Sequence, residues 1–334
     1  MTPQSPVSTE QTPFSAESAT NENANPSKPL KKRQGWQDQY SATEVRWAAL
    51  FLAPCLLGLI IFTYLPVLAS FGLSFSYWNL LGAPRWVGLD NYASVLGDPL
   101  FWKSFGVTLW FVVVSGLIEV VLALGLAMAL NRAIRGQAFF RTAYFLPFIT
   151  PMVSVALVWG WLYDPAYGAL NWLLQELHLT TRPIAWLYEP STALGAVIAL
   201  RVWKDTGYNL VIFLAGLQAV SPSLEESARL DGANVWHIFW RITLPMITPT
   251  LFFVGIMALI NGFQAFDSVY LLTQGGPAHS TELLVHWMFK NAFEFYKVGP
   301  ASAIAYILFV VILALTFIQW QLRKRWVLYE DDTA

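Results

Sequence analysis

The sequence contains little charge. Asp, Glu, Lys and Arg make up 12% of its 334 residues, whereas 56% of the residues are hydrophobic. Soluble globular domains carry roughly 25% charged residues and need a polar surface at any size. The shortage of charge therefore excludes an ordinary soluble domain and predicts that the surplus apolar surface faces lipid.

Other shortages exclude whole classes of function. Cys55 is the only cysteine, which excludes a disulfide framework and a cysteine-rich metal site. The formal net charge of −1 offers no basic excess, so nucleic acid is not an expected partner. No lysine follows a glycine, which excludes a phosphate-cradling P-loop. The four histidines lack the paired spacing of a metal site, and we expect no bound metal.

Long apolar runs occupy most of the chain. A helix needs about 20 apolar residues to cross about 30 Å of hydrocarbon. Residues 1–40, rich in Ser, Thr, Pro, Asn and Gln, predict a disordered tail, and 328–334 predict a second short tail. Between them, 41–327 predict one all-α integral membrane domain with six spans. The predicted spans lie near 47–71, 104–130, 144–162, 193–218, 247–271 and 301–320.

The positions of the basic residues predict the orientation. Of the 20 Lys and Arg residues, 13 fall in the tails and in the connections after the second and fourth spans, 5 fall on the opposite side, and 2 lie within the fourth span. Short cytoplasmic loops hold the excess of basic residues in membrane proteins. Both termini are therefore predicted to be cytoplasmic.

The connection between the fourth and fifth predicted spans, 219–246, has a pattern of its own. Ser223 followed three residues later by Glu226 is the capping-box pattern of a helix start. Gly232 suits the left-handed stop of a short helix. A second short helix is predicted over 235–242, because apolar residues recur there at helical spacing. Its apolar face, predicted to pack against the spans, consists of Val235, Ile238, Phe239 and Ile242.

This connection resembles the EAA loop of permease subunits in binding-protein-dependent ABC importers. The family pattern is Glu-Ala-Ala, three residues, Gly, nine residues, Ile, one residue, Leu-Pro, and this sequence departs from it only at Ser227. The segment 272–277, which ends in Gly-Gly-Pro, is similar to a segment of the carbohydrate-type permeases. The residues of the predicted coupling loop are Glu225, Glu226, Ser227, Ala228, Asp231, Gly232, Ala233, Ile242, Leu244 and Pro245.

The resemblance implies the six-transmembrane-helix ABC importer permease fold, in the cytoplasmic (inner) membrane, as in the glycerol-phosphate and maltose permeases. The implied partners are membrane lipid, a second permease subunit, an external solute-binding protein and two ATPase subunits that grip the coupling loop. ATP and Mg²⁺ are expected on those ATPase subunits, so this chain should be non-catalytic and bind no cofactor. The implied substrate is a sugar, polyol or sugar-phosphate, carried by alternating access.

Charged residues inside the fourth span are the second informative feature. Arg201, Lys204 and Asp205 each cost roughly 2.5 to 3.5 kcal/mol at the centre of a membrane helix, so they must face protein or water. Their spacing allows two interpretations. Arg201 and Asp205 could pair within the helix and stabilise its packing, or the shared face could line a translocation path. The candidates for that path are Arg201, Lys204, Asp205, Tyr208, Asn261, Gln264 and Phe263.

The alternatives to an importer are an ion-driven secondary transporter and a membrane-bound enzyme. An ion-driven secondary transporter of a small polar solute would use Glu119, Arg201 and Asp205 as its relay. A membrane-bound enzyme is not expected, because no metal or nucleophile constellation occurs in the sequence.

Overall fold

The computed structural model describes residues 42–132 and 135–326. The tails predicted over 1–40 and 328–334 lie outside the described residues. The chain divides between Phe62 and Thr63 into two units, and the sites discussed below lie in the described part of the second.

The described residues are mostly helical. The α-helices of the first half are α1 (Ala42–Leu59), α2 (Leu65–Ser74), α3 (Asp90–Gly97), α4 (Pro99–Leu130), α5 (Gln137–Ile149), α6 (Met152–Leu162) and α7 (Ala169–Glu176). Those of the second half are α8 (Pro190–Ala219), α9 (Pro222–Leu230), α10 (Val235–Ile238), α11 (Leu244–Met246), α12 (Thr248–Phe263), α13 (Asp267–Leu272), α14 (Leu284–Phe289) and α15 (Val298–Trp326). Short π-helical segments cover Ile60–Tyr64, Phe239–Thr243 and Lys290–Glu294.

A short antiparallel hairpin interrupts the helices. Its strands are β1 (Ser76–Tyr77) and β2 (Arg85–Trp86). Ser76 pairs with Trp86, and Tyr77 pairs with Arg85.

Three helices of the described chain are long and apolar enough to cross a membrane by themselves. They cover Arg46–Ser74, Pro99–Leu130 and Val298–Lys324. Three bent pairs also pass this test: α5 with α6, α8 with α9, and Val235–Met246 with α12, bent by 99°, 66° and 69° respectively. Counting each pair as one span gives up to six spans by length and composition.

The structure corrects two of the predicted single helices. The span predicted over 144–162 is two helices, because Thr150 is extended and Pro151 is the N-cap of the next helix. The residue before a proline disfavours the helical conformation, which explains the position of the break. The span predicted over 247–271 ends early, at Phe263, and α13 follows after a short break.

Small residues allow the central helices to pack closely. Ala123 and Ala127 of α4 lie fully buried against Leu210 and Phe213 of α8. Small side chains let helix backbones approach each other in membranes, where van der Waals contact drives association. The packing of α4 against α8 therefore holds the charged segment of α8 inside the bundle.

Candidate functional site

The charged residues of α8 are anchored to neighbouring helices. Arg201 is 7% exposed, and its Nε donates a hydrogen bond to Oε1 of Glu119 on α4, which is 1% exposed, over 2.9 Å. A second guanidinium nitrogen, Nη1, donates to the backbone carbonyl of Asn261 on α12 over 3.2 Å. The predicted pair with Asp205 also forms, but at 3.8 Å. The main partner of Arg201 therefore lies on another helix, and α4, α8 and α12 are joined at one point.

Lys204 occupies the break between α5 and α6. Its ammonium group donates to the backbone carbonyls of Pro147, Phe148 and Thr150 over 3.0, 3.0 and 2.8 Å. Carbonyls at a helix end have no partner within the helix. An ammonium group has three donors, and these three carbonyls use all of them. Lys204 therefore satisfies the broken helix end.

A cavity of about 210 Å³ lies beside these residues. It brings together four of the predicted path residues, Arg201, Lys204, Asp205 and Gln264, from α8 and from the break after α12. Its complete lining is Met152, Leu200, Arg201, Lys204, Asp205, Gln264, Ala265, Phe266, Asp267 and Ser268.

The other predicted path residues lie elsewhere. Phe263 is 1% exposed and packs in a hydrophobic cluster with Phe101 and Leu284, so neither face of its ring is open to a ligand. Tyr208 stacks on Phe148, with ring centroids 4.6 Å apart. The aromatic ring at the cavity is instead that of Phe266.

Sequence reasoning did not select Asp267 and Ser268 as cavity residues. The break after Phe263 turns the chain so that the first residues of α13 reach the cavity. The signal was available for Asp267, because a carboxylate within the predicted span 247–271 is as costly as the charges in the fourth span.

The second feature is the loop between α8 and α12, whose first helix begins earlier than predicted. Pro222 occupies the first turn of α9, where its missing N–H costs nothing, and Ser221 is the N-cap. The predicted capping box does not form. The Ser223 hydroxyl instead lies 2.8 Å from that of Ser221.

Gly232 ends α9 in the predicted left-handed conformation, with φ of +82°. The N–H of Ala233 donates to the carbonyl of Ala228 over 2.9 Å, and that of Gly232 donates to the carbonyl of Arg229 over 3.1 Å. These two bonds form a Schellman motif, which satisfies carbonyls at the helix end.

The second helical segment of the loop runs from Val235 to Met246, four residues longer than predicted. The Asn234 side chain caps it by accepting a hydrogen bond from the N–H of His237 over 2.9 Å. Ile238 is buried as predicted, whereas Val235 is 62% exposed. The physical reason is that Val235 lies in the first turn, one turn before the packed residue.

The two glutamates of the loop have different environments. Glu225 pairs with Arg229 at 3.7 Å and accepts a hydrogen bond from the Thr243 hydroxyl over 3.4 Å, so it braces the two helical segments. Glu226 is exposed and makes no ion pair among the described residues. Ser227 and Asp231 are also exposed, whereas the half-buried members of the loop are Ala228, Ala233, Ile242, Leu244 and Pro245.

Large apolar side chains that follow Glu226 in the same loop are also exposed. Leu230 is 89% exposed and Trp236 is 70% exposed. Exposed apolar residues grouped in this way are typical of a surface that contacts protein or membrane. We call Glu226, Leu230, Trp236 and Trp240 the exposed loop residues.

The loop, the cavity and most of the bundle fall within one family match. Residues 121–327 match the family described as binding-protein-dependent transport system inner membrane component. The match covers more than half of the chain. The chain belongs to this family.

Several relatives are similar to this permease over most of both chains. A probable ABC transporter permease protein of Bacillus subtilis, YesP, is 37% identical over 84% of this chain and 91% of its own. A trehalose/maltose transport system permease protein, MalF, of Thermococcus litoralis is 34% identical over 82% and 92%. An sn-glycerol-3-phosphate transport system permease protein, UgpA, of Agrobacterium fabrum is 33% identical over 84% and 95%.

A solved structure shares the fold of this permease. A chain of a bacterial ABC transporter involved in the import of the acidic polysaccharide alginate superposes with a TM-score of 0.76. The superposition covers 87% of this chain and 98% of the other, at 23% identity. This permease therefore has the mostly helical ABC importer permease fold, with one short β-hairpin, and is an inner membrane component.

A buried carboxylate organises the permease segment between α13 and α15. Glu282 is fully buried. Its Oε1 lies 2.5 Å from Nδ1 of His286, and its Oε2 lies 3.1 Å from Nδ1 of His279 and 3.2 Å from Nζ of Lys290. Burial alone would raise the pKa of Glu282. The hydrogen bonds with both histidines and the charge of Lys290 outweigh burial, and the pKa lies below its usual value.

We expect this segment of the permease to open at acid pH. A depressed folded-state pKa stabilises the fold above the unfolded value of 4.5, and this stability is lost as the pH falls toward the folded-state pKa of Glu282. Within that window the opening constant should rise about tenfold per pH unit. Hydrogen exchange of the amides in α14, corrected for intrinsic exchange rates, measures this opening constant. Glu282→Gln should remove the dependence, and a flat profile in the unmodified permease would contradict the prediction.

Proposed function

We propose that this permease carries a sugar, polyol or sugar-phosphate across the cytoplasmic membrane by alternating access, driven by partner ATPases. The single observation that carries the proposal is the loop between α8 and α12. It ends its first helix in a Schellman motif at Gly232 and presents Glu226 outward together with Leu230 and Trp236. The substrate class follows the relatives named for trehalose/maltose and for sn-glycerol 3-phosphate.

The geometry supports a mechanical role for the loop. α9 follows α8 after only Val220 and Ser221, and the second loop segment leads into α12 across Ile247. Both helices reach the cavity, through Asp205 on α8 and through Gln264 directly after α12. A partner that displaces the loop would therefore move two walls of the cavity at once.

The proposal includes several partners. A second permease subunit would complete the path, two ATPase subunits would hold the exposed loop residues, and an external solute-binding protein would deliver the substrate. The family description names a binding-protein-dependent system, which supports the last of these. ATP and Mg²⁺ would bind the ATPase subunits, and this chain would change no bond. Both termini would be cytoplasmic, on the same side as the loop.

Within the proposal, the cavity beside Asp205 belongs to the substrate path. Asp205 and Gln264 line it from two elements, and Arg201 and Lys204 hold the surrounding helices in place. The ion-driven alternative requires Glu119 to exchange protons or ions with water. Its 1% exposure and its hydrogen bond with Arg201 favour a packing role.

Charge reversal at the loop tests the proposed function. Glu226→Lys should reduce ATP-dependent uptake into proteoliposomes at least tenfold and prevent co-purification of ATPase subunits, because it changes the exposed carboxylate of the loop. Glu176→Lys on α7, which reverses another exposed glutamate, is the matched control and should retain both. Uptake that persists in Glu226→Lys without ATPases and follows an ion gradient would refute the importer.

A further inference from the structure

Both cations at the cavity already have partners. The three donors of Lys204 are occupied by the carbonyls at the end of α5. Arg201 lies 2.9 Å from one carboxylate and 3.8 Å from another, and it also donates to a backbone carbonyl. Lys204 therefore keeps its charge but has no free donor for a substrate, whereas Nη2 of Arg201 has no hydrogen-bond partner among the described residues.

Carboxylates outnumber cations around the same space. The lining carries two carboxylates, Asp205 and Asp267, and two cations, Arg201 and Lys204. The carboxylate of Glu119 lies behind the lining, 2.9 Å from Arg201, and makes a formal excess of one negative charge when each carboxyl is ionised. Asp205 is 29% exposed and Asp267 is exposed, so these two carboxylates reach the cavity. An anion entering the cavity would meet this excess at short range, where a low dielectric strengthens repulsion.

The remaining polar groups suit hydroxyl groups. A carboxylate only accepts hydrogen bonds, and a sugar hydroxyl donates them, so Asp205 and Asp267 can each bind an uncharged polyol. The Gln264 amide adds both a donor and an acceptor. The Phe266 ring lies on the same lining and supplies an apolar surface for the C–H face of a sugar.

We infer that the cavity admits uncharged sugars or polyols and disfavours phosphorylated or carboxylated ones, with Asp205 and Asp267 as the specificity-determining residues. The inference rests on the proposed function, because it assigns the substrate class of that path. It separates this permease from its relative named for sn-glycerol 3-phosphate, despite 33% identity.

The sign of the cavity potential can be measured without knowing the substrate. In the complete transporter, Gln264→Cys in a Cys55→Ser background places one thiol of this chain at the cavity. Its reaction rates with cationic, neutral and anionic methanethiosulfonate reagents report the local potential. We expect the cationic reagent to react at least roughly tenfold faster than the anionic one, each rate being normalised to a model thiol in solution.

Matched variants assign the potential to its source. Asp205→Asn and Asp267→Asn should each lower the ratio of cationic to anionic rates several-fold. Asp90→Asn, which neutralises an exposed carboxylate of α3 outside the cavity lining, should leave the ratio unchanged. Faster reaction with the anionic reagent, or a ratio that neither cavity variant changes, would overturn the inference.

Uptake separates this inference from the proposed function. The reconstituted transporter is given trehalose, maltose and sn-glycerol 3-phosphate as competing probes. Uptake of a neutral sugar that falls at least tenfold in Asp205→Asn supports the inference. Uptake of sn-glycerol 3-phosphate alone overturns it and leaves the ATP-driven importer intact. Uptake of every probe without ATP refutes the importer, and the thiol rates then still decide the charge of the cavity.

Discussion

Replacing Arg201 with methionine is expected to destabilise the permease by about 3 to 5 kcal/mol. The change leaves the Glu119 carboxylate, which is 1% exposed, without its hydrogen-bonded cation at 2.9 Å. It also removes the bond to the Asn261 carbonyl. Folded proteins are stable by only about 5 to 15 kcal/mol, so the loss should strongly reduce the folded permease in the membrane.

A double variant separates loss of the charge pair from loss of packing. Glu119→Leu together with Arg201→Met removes both charges, and apolar replacement of a buried pair is often neutral. In thermal unfolding in detergent, the melting temperature of the double variant should be well above that of Arg201→Met. Arg85→Met, at an exposed arginine of β2, should shift the melting temperature little. Equal melting temperatures for the single and double variants would contradict an unpaired buried carboxylate as the cause.

Adding one methyl group at Gly207 should have an effect of similar size. The Cβ of an alanine there would overlap the backbone carbonyl of Tyr144 on α5. A backbone neighbour cannot rotate away, so α5 and α8 must separate, at a cost of about 3 kcal/mol, the upper end for an overpacked core. The separation would also weaken the contact of Lys204 with the end of α5, and transport should fall with stability.

The same helix provides the control for Gly207→Ala. Gly195 lies on α8 with no atom within 4 Å of an added Cβ. Gly195→Ala should be neutral or stabilising by up to about 1 kcal/mol, since alanine is the better helix former. Melting temperatures and uptake of the two variants measure the difference. Equal melting temperatures would show that α5 and α8 do not approach closely at Gly207.

Much of the architecture could be predicted because it depends on local patterns. The long apolar runs predicted the membrane helices, and Gly232 was predicted as a helix stop because few other residues adopt its backbone angles. The breaks at Thr150 and after Phe263 were missed, since proline and polar residues are tolerated within membrane helices where neighbours satisfy the backbone. The partner that satisfies the first break, Lys204, lies more than fifty residues away in the chain.

The residues of the candidate site could be selected from the sequence, but their partners could not. The cost of charge in lipid selected Arg201, Lys204 and Asp205 from the sequence, but helical spacing could only suggest partners on the same helix. Glu119 and the carbonyls at the end of α5 belong to other helices. Phe263 and Phe266 could not be distinguished by type, and only the packing of α12 buried the first and left the second at the cavity.

The sequence by itself determined that this protein lies in a membrane, that it is helical and that two short helices follow α8, because composition, apolar length and motif spacing are properties of neighbouring residues. Tertiary structure alone decided which charges remain available at the cavity. Hydrogen bonds between helices use the donors of Lys204 and balance Arg201, while Asp205 and Asp267 stay open to the cavity. The availability of a charge depends on the atoms packed around it, and those atoms come from distant parts of the chain.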